Sequence, residues 1–246
     1  DLPSLRVYDV SSGQQLWTHK NFASPITFKS RSSELFACRL GTAQIALLDG
    51  NNGNVADESL SDWNISDRDG RLVTSLPPKF GLLTYHGPSD QLVAFPSVSD
   101  QPLLRHATDQ QMLVLDLAKR QARMLACPTA DRYGGVGHFG YSRDGQTAIV
   151  IHRDSNFAQL WDVTNWRVIA VLDGHQKTVT DGIFSADQNR IATASLDGTV
   201  KLWDAKTGGL LWTFVTLNYP QFIAFDTDDR ELVVGSTEGI QRWRTE

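Results

Sequence analysis

The segment from Gly174 to Asp204 holds the residue types of a hydrolytic triad within a short stretch of chain. It reads GHQKTVTDGIFSADQNRIATASLDGTVKLWD and contains a histidine, several hydroxyl residues and several aspartates. A nucleophile, a general base and an orienting carboxylate could be drawn from this set. The same side chains could instead form a structural hydrogen-bonded chain, so the elements that position them decide between the two interpretations.

The composition limits the classes of protein that this chain can belong to. It has 246 residues, 41% of them hydrophobic, and a formal net charge of −5. A single large β domain fits this length, and the acidic balance argues against sequence-independent nucleic-acid binding, which needs a basic face. Cys38 and Cys127 form no disulfide framework, so we expect two thiols in a reducing compartment and a cytoplasmic location.

Short β-rich runs that end in an aspartate recur along the chain, at Asp9, Asp49, Asp116, Asp162 and Asp204. Successive endpoints lie 40, 67, 46 and 42 residues apart, which is the spacing of a repeat of small sheets. The 67-residue interval is interpreted as two degenerate units with an extra endpoint near Tyr85, or as one unit with an inserted hairpin. We prefer two units.

Within each unit the hydrophobic period is that of β-strands, and no segment has a convincing amphipathic helical pattern. In the run from 200 to 203, alternation places Val200 and Leu202 on one face and Lys201 and Trp203 on the other. Asp144-Gly145 and Asp197-Gly198 predict tight turns with positive φ. Four short strands per unit form an antiparallel sheet that must stack on its neighbours to bury both faces.

The chain resembles the WD40-repeat family. The motifs that carry this resemblance are Gly174-His175, Phe184-Ser185 with Asp187, Ser195 with Asp197-Gly198, and Trp203-Asp204. The resemblance implies an all-β fold, a β-propeller of four-stranded antiparallel blades over residues 1–246. We expect seven blades with the first incomplete. We also expect the chain to be part of a longer protein, covalently linked to an upstream domain.

The family resemblance also implies a structural role for the polar residues of the opening segment. It matches His175, Thr193, Asp197 and Trp203 to a hydrogen-bonded chain between strands, and the four side chains have suitable donors and acceptors. This predicts no catalytic residue and no enzyme. In the preceding unit Arg132 and Val150 stand where the histidine and the hydroxyl should be, so that unit should lack the chain.

The resemblance further implies a protein-binding rim, formed by three positions in each unit. Its candidate residues are Arg153, Thr178, Thr180, Leu196, Tyr219 and Gln221, with Gly135, Gly137 and Ser236 at matching positions. Arginine and tyrosine are enriched among binding hot spots, which favours Arg153 and Tyr219. We therefore expect a non-catalytic scaffold that binds a protein or peptide, with no nucleic acid and no membrane insertion. Irregular repeats of this kind resemble the WD40 arrays of larger bacterial signalling proteins.

Two other functions remain as alternatives. The phrases from Asp9 to Trp17 and from Asp204 to Trp212 resemble the tryptophan-docking phrase of quinoprotein propellers, some of which are oxidoreductases. The structural interpretation is a turn followed by a tryptophan that packs between sheets. The six histidines have no short metal-binding spacing, so no cofactor or metal is expected. The second alternative is a small-ligand sensor that uses the central channel.

Overall fold

The computed structural model describes most of the chain, and the regular elements among the residues that it describes are strands. The described residues are 4–9, 11–20, 22–29, 32–39, 45–57, 63–66, 80–96, 111–126 and 135–245. Cys127 and Arg132 lie outside these ranges. The chain divides into two compact units, unit 1 (Asp1–Asp131) and unit 2 (Arg132–Glu246). None of the described segments contains a helix that could cross a membrane.

Unit 1 contains three sheets in its described residues. The first pairs β1 (Leu5–Tyr8) with β2 (Gln15–His19). The second is antiparallel and follows chain order, with β3 (Phe22–Phe28), β4 (Glu34–Arg39), β5 (Ile45–Asp49) and β6 (Val55–Asp57). The third has the order β7-β11-β10-β9-β8, formed by β7 (Asn64–Ser66), β8 (Phe80–His86), β9 (Gln91–Pro96), β10 (Gln111–Asp116) and β11 (Gln121–Ala126).

Unit 2 contains three antiparallel sheets that follow chain order. The first comprises β12 (Val136–Tyr141), β13 (Thr147–His152), β14 (Phe157–Asp162) and β15 (Arg167–Asp173). The second comprises β16 (Val179–Phe184), β17 (Arg190–Ser195), β18 (Thr199–Asp204) and β19 (Leu210–Val215). The third comprises β20 (Phe222–Phe225), β21 (Glu231–Ser236) and β22 (Gly239–Arg244).

The described strands that follow β6 in the long interval between Asp49 and Asp116 all belong to one sheet, so these residues do not form the two units that we preferred. Tyr85 lies in β8, the first strand of that sheet, where it pairs with Leu92 of β9 instead of ending a third strand. β7 adds to the sheet beside β11 as a parallel fifth strand. The described strands form six sheets, the first of them with two strands, and the seventh blade stays a prediction.

The strands of unit 2 present alternate residues to the sheets on either side, as the alternation predicts. Val200 and Leu202 of β18 pack in one core cluster with Ile223 and Leu232 of the following sheet. Trp203, on the opposite face, packs in a second cluster with residues of the preceding sheet. The β16–β19 sheet is therefore apolar on both faces, which explains why β17 and β18 read as nearly continuous buried runs.

The turn between the third and fourth strands is built the same way in several sheets, and we call it the aspartate turn. Its first residue is the aspartate that ends the third strand, and the residue four positions later has a positive φ, as at Gly13, Gly53, Arg120, Trp166 and Gly208. In the first sheet the carboxylate of Asp9 accepts from the Ser11 hydroxyl at 2.6 Å and from the Ser12 N–H at 2.7 Å. The hydrogen bond from Ser11 has the largest effect, and together with those from Ser12 it lowers the pKa of Asp9 to about 2.

The two tryptophans of the docking phrase behave differently. Trp17 packs on the neighbouring sheet of unit 1, where its indole N–H donates to the Gly50 carbonyl at 2.7 Å. Trp212 is instead 62% exposed on β19, so the expectation that it packs between sheets was wrong. The phrase specifies the turn in both places, whereas the burial of the tryptophan depends on the adjacent sheet.

Candidate functional site

His175, Thr193, Asp197 and Trp203 are joined by a continuous series of hydrogen bonds within the β16–β19 sheet, which we call the hydrogen-bonded chain. The indole Nε1 of Trp203 on β18 donates to Thr193 Oγ1 on β17 at 2.8 Å. Thr193 Oγ1 lies 2.8 Å from His175 Nε2, and His175 Nδ1 lies 3.0 Å from Asp197 Oδ2. The histidine precedes β16 and the aspartate lies in the β17–β18 turn, so the chain ties three parts of one sheet together.

The direction of each hydrogen bond follows from its fixed ends. An indole N–H only donates and a carboxylate only accepts. Thr193 Oγ1 therefore accepts from Trp203 and donates its own proton to His175 Nε2, which leaves Nδ1–H to donate to Asp197. Neutral His175 with its proton on Nδ1 satisfies every member of the chain.

The contacts that sequence reasoning missed are those of Thr199 and the Gln176 backbone. The Thr199 hydroxyl donates to Asp197 Oδ1 at 2.6 Å, and the backbone N–H groups of Thr199 and Gln176 donate to the same carboxylate at 2.9 and 2.8 Å. A hydroxyl residue two positions after an aspartate in a tight turn is the signal that could have indicated this. The carboxylate is thereby held from three directions and cannot rotate to reach a substrate.

Burial and hydrogen bonding move the pKa values of the two ionisable members. Burial lowers the pKa of His175 below its usual 6.5, and the hydrogen bond and the charge of Asp197 oppose this only partly. Burial alone would raise the pKa of Asp197, but hydrogen bonds from Thr199, Gln176 and His175 outweigh it and lower that pKa to about 2. At neutral pH the histidine is uncharged and the aspartate is ionised.

These shifts predict a loss of stability in acid in two stages. Below pH 6.5 the unfolded chain takes up a proton at His175 that the native state resists. Asp197 contributes about 2 kcal/mol that is present above its ordinary pKa of 3.8 and is lost as the pH falls toward about 2. Urea unfolding of the wild-type protein and of Asp197→Asn, measured from pH 8 to pH 2, tests this. The difference in unfolding free energy should narrow between pH 4 and 2; a constant difference would contradict the prediction.

The arrangement is suited to bracing strands and poorly suited to turnover. His175, Thr193 and Trp203 are 1%, 1% and 2% exposed, so the imidazole cannot meet a solvent-borne substrate. Each donor among these side chains has its acceptor within the same sheet, so the hydrogen bonds hold its strands together. Among the described residues, no group of three or more His, Cys, Asp or Glu side chains could hold a metal ion.

The preceding sheet replaces the hydrogen-bonded chain with a shorter one. Trp161 on β14 donates its indole N–H to Gln159 Oε1 at 3.0 Å, and His152 Nε2 lies 3.3 Å from the same oxygen. Val150, which stands at the hydroxyl position, is fully buried and apolar. Gln159 stands two positions before Trp161 and so lies on the same face of the strand, and this spacing could have indicated that it accepts the indole hydrogen bond.

Most of the candidate rim residues lie at one end of unit 2, where turns from its three sheets meet; we call this the loop end. It comprises residues 153–156, 174–178, 196–198, 216–221 and 236–239. Its segments are tied by main-chain bonds, such as Leu196 N–H to Thr178 O at 2.9 Å and Thr216 N–H to Gly198 O at 2.8 Å. Asn156 Nδ2 donates to the His175 carbonyl at 3.1 Å and links the first two sheets.

The rim candidates differ in how accessible their side chains are. Arg153 and Gln221 are exposed, Leu196 is 39% exposed and Tyr219 is 60% exposed. Thr178, Ser236 and Gly135 are half-buried, while Gly137 is exposed. Thr180 is half-buried and its hydroxyl donates to the Pro220 carbonyl at 2.9 Å, so it supports the 219–221 segment. Sequence reasoning missed Lys177, whose Nζ lies 5.6 Å from the centre of the Tyr219 ring.

Comparison with known proteins relates this geometry to repeat proteins. The family model described as "WD domain, G-beta repeat" matches residues 166–204. Similar proteins include Periodic tryptophan protein 2 of Arabidopsis thaliana, 32% identical over 39% of this chain and 11% of that protein. The pre-rRNA-processing protein crb3/ipi3 of Schizosaccharomyces pombe is 31% identical over 43% of this chain and 25% of that protein. Eukaryotic translation initiation factor 3 subunit I of Debaryomyces hansenii is 29% identical over 38% of this chain and 26% of that protein. The matches thus span a quarter or less of most of these relatives.

A solved structure shares the fold over nearly the whole chain. The computationally designed Ika8 protein superposes with a TM-score of 0.64 at 18% sequence identity, covering 99% of this chain and 65% of the other. At that identity the likeness shows the fold alone, which is that of β-propeller sheets. The matched residues 166–204 include β16, β17 and β18, the strands that the hydrogen bonds from Trp203 to Asp197 connect. The segment from 166 to 204 thus matches the WD40 repeat, and the chain is similar to WD-repeat proteins.

Proposed function

We propose that this protein is a non-catalytic scaffold that binds a protein or peptide at the loop end of unit 2. The observation that carries the proposal is the contrast between a locked base and an exposed surface. The hydrogen-bonded side chains of His175, Thr193 and Trp203 are almost fully buried, while Arg153 and Tyr219 of the loop end are exposed. A stiff base that positions exposed loop side chains is the usual arrangement of a binding surface.

The loop end combines apolar side chains with charges of both signs, since Asp154 and Glu238 are also exposed in it. Arg153 and Lys177 supply positive charge, and Lys177 lies over the face of Tyr219. Leu196 and Leu217, 39% and 84% exposed, add apolar surface beside them. Arginine and tyrosine carry a large share of the binding energy at protein interfaces.

The relatives support a role in protein assemblies. One similar protein is by name a subunit of a translation initiation factor, and another is by name a pre-rRNA-processing protein. We further propose that the scaffold is cytoplasmic and belongs to a larger bacterial signalling protein, because its repeats are as irregular as those of the WD40 arrays in such proteins. Sequencing the gene upstream of Asp1 tests it, since a kinase or other signalling domain is expected there.

The double variant Arg153→Ala plus Tyr219→Ala tests the binding surface. It is expected to weaken partner binding by roughly 100-fold, because two hot-spot side chains contribute about 1.4 kcal/mol each. Partners captured by the tagged wild-type chain would first be identified by mass spectrometry, and the affinity of each purified partner would then be measured by fluorescence anisotropy.

A matched control removes similar side chains from another surface of unit 2. Arg167, with a side chain 72% exposed on β15, and Trp212, 62% exposed on β19, lie on outer strands. Arg167→Ala plus Trp212→Ala should leave the affinity within about twofold of wild type. Equal losses in the two double variants, or wild-type affinity in the first, would overturn the assignment of the loop end.

A further inference from the structure

A single carboxylate connects all three sheets of unit 2. Asp181 lies on β16, the first strand of the middle sheet, and its side chain is 15% exposed. Its Oδ2 accepts from the Ile223 N–H of β20, in the third sheet, at 2.9 Å. Its Oδ1 lies 3.5 Å from His138 Nδ1 of β12, in the first sheet. Asp181 belongs neither to the hydrogen-bonded chain nor to the rim candidates, so its role is still to be assigned.

On the side of the third sheet, β16 restrains the segment that carries Tyr219. The Thr180 hydroxyl donates to the Pro220 carbonyl at 2.9 Å, and three residues later the Ile223 N–H donates to the Asp181 carboxylate. Hydrogen bonds to a carboxylate are roughly twice as strong as those between neutral groups. Two consecutive residues of β16 therefore fix the course of the chain directly after Tyr219, and the bond to Asp181 contributes most.

On the side of the first sheet, Asp181 approaches the strand against which Arg153 packs. A Cβ at Gly137 would lie 3.2 Å from Arg153 Cγ, so the arginine stem runs over this glycine. The next residue of β12 is His138, whose ring contacts Asp181. Arg153 and Tyr219, the two side chains on which the proposed binding surface depends most, thus belong to elements that meet at one carboxylate.

We propose that Asp181 is a positioning residue of the binding surface, which sets the distance between Arg153 and Tyr219. It touches no partner itself. A partner that uses both side chains must present its two contact groups at the matching distance, so the carboxylate contributes to the choice of partner. This inference rests on the proposed function of the loop end.

The backbone amide of Ile223 gives a test that needs no partner. In the wild-type protein this amide should be protected from hydrogen exchange, measured by NMR, although β20 is an edge strand of its sheet. In Asp181→Ala it should exchange about tenfold faster, while the amides of β17 and β18 keep their rates. Asp181→Asn retains an acceptor oxygen and should stay within about threefold of wild type. Rapid exchange of Ile223 in the wild type, or unchanged exchange in Asp181→Ala, would overturn the inference.

Partner affinities separate a failure of this inference from a failure of the proposed function. For a captured partner that binds Tyr219→Ala more weakly, Asp181→Ala should lower the affinity about tenfold and Asp181→Asn should restore most of it. Asp228→Ala is the matched control, because Asp228 is an exposed aspartate in the β20–β21 turn, and it should bind within about twofold of wild type. Wild-type affinity in Asp181→Ala for such a partner would overturn this inference alone, whereas wild-type affinity in Tyr219→Ala would count against the loop end itself.

Discussion

Thr193→Val is expected to destabilise unit 2 by about 3 kcal/mol, although the two side chains have nearly the same shape. The hydroxyl of Thr193 accepts from the Trp203 indole and donates to His175 Nε2. Valine leaves both of these buried groups without a partner, at a cost of about 1 to 3 kcal/mol for each. The substitution creates no large cavity, so the effect measures the hydrogen-bonded chain itself.

Hydrogen exchange measured by mass spectrometry would show where the stability is lost. Peptides covering β17 and β18 should exchange roughly 100-fold faster in Thr193→Val than in the wild type. Thr164→Val is the control, because Thr164 is exposed in a turn of the same unit, and its stability should stay within about 0.5 kcal/mol of wild type. Similar losses of stability in both variants would show that the hydrogen bonds from Trp203 to Asp197 contribute little to the stability of unit 2.

Gly53→Ala is expected to destabilise unit 1 by about 3 kcal/mol, through two separate effects. Gly53 has a φ of +73° in its aspartate turn, which costs an alanine about 1 kcal/mol. A Cβ at this position would also lie 2.8 Å from the Trp17 ring, which packs here between two sheets. The indole must move, and its hydrogen bond to the Gly50 carbonyl is lost with it.

Gly13→Ala separates these two effects. Gly13 occupies the same place in its own aspartate turn, with a φ of +69°, but a Cβ there would have no atom within 4 Å. This variant should lose only about 1 kcal/mol, the cost of the backbone conformation. Urea unfolding curves of the two variants give the comparison. Equal losses would mean that the contact of Trp17 with the neighbouring sheet adds nothing to stability.

The sheet from 179 to 215 could be predicted from sequence because each local signal there agrees with the fold. The alternation around Trp203, the turn at Asp197-Gly198 and the donor and acceptor types of His175 and Thr193 all specify the same arrangement. Side chains that must satisfy one another when buried leave few alternatives. The resemblance to WD40 repeats implied the members and order of these hydrogen bonds, and the donor and acceptor types of the four side chains are compatible with them.

The region from 49 to 116 could not be predicted because its signals are compatible with two topologies. The turn before Gln91 does connect two strands, yet these are the first and second strands of one sheet and not part of two units. The parallel pairing of β7 with β11 involves three residues and has no sequence signature.

The aspartate turn has a consequence for how repeats of this kind diverge. The three positions after the aspartate read VSS, GNN, LAK, VTN and AKT, and in each of these turns the third position donates from its side chain to the aspartate carboxylate: Ser12, Asn52, Lys119, Asn165 and Thr207. Several residue types can therefore close the same turn, provided that each supplies a hydrogen-bond donor. A foreign epitope grafted into one of these hairpins should accordingly keep the aspartate and a donor three positions after it.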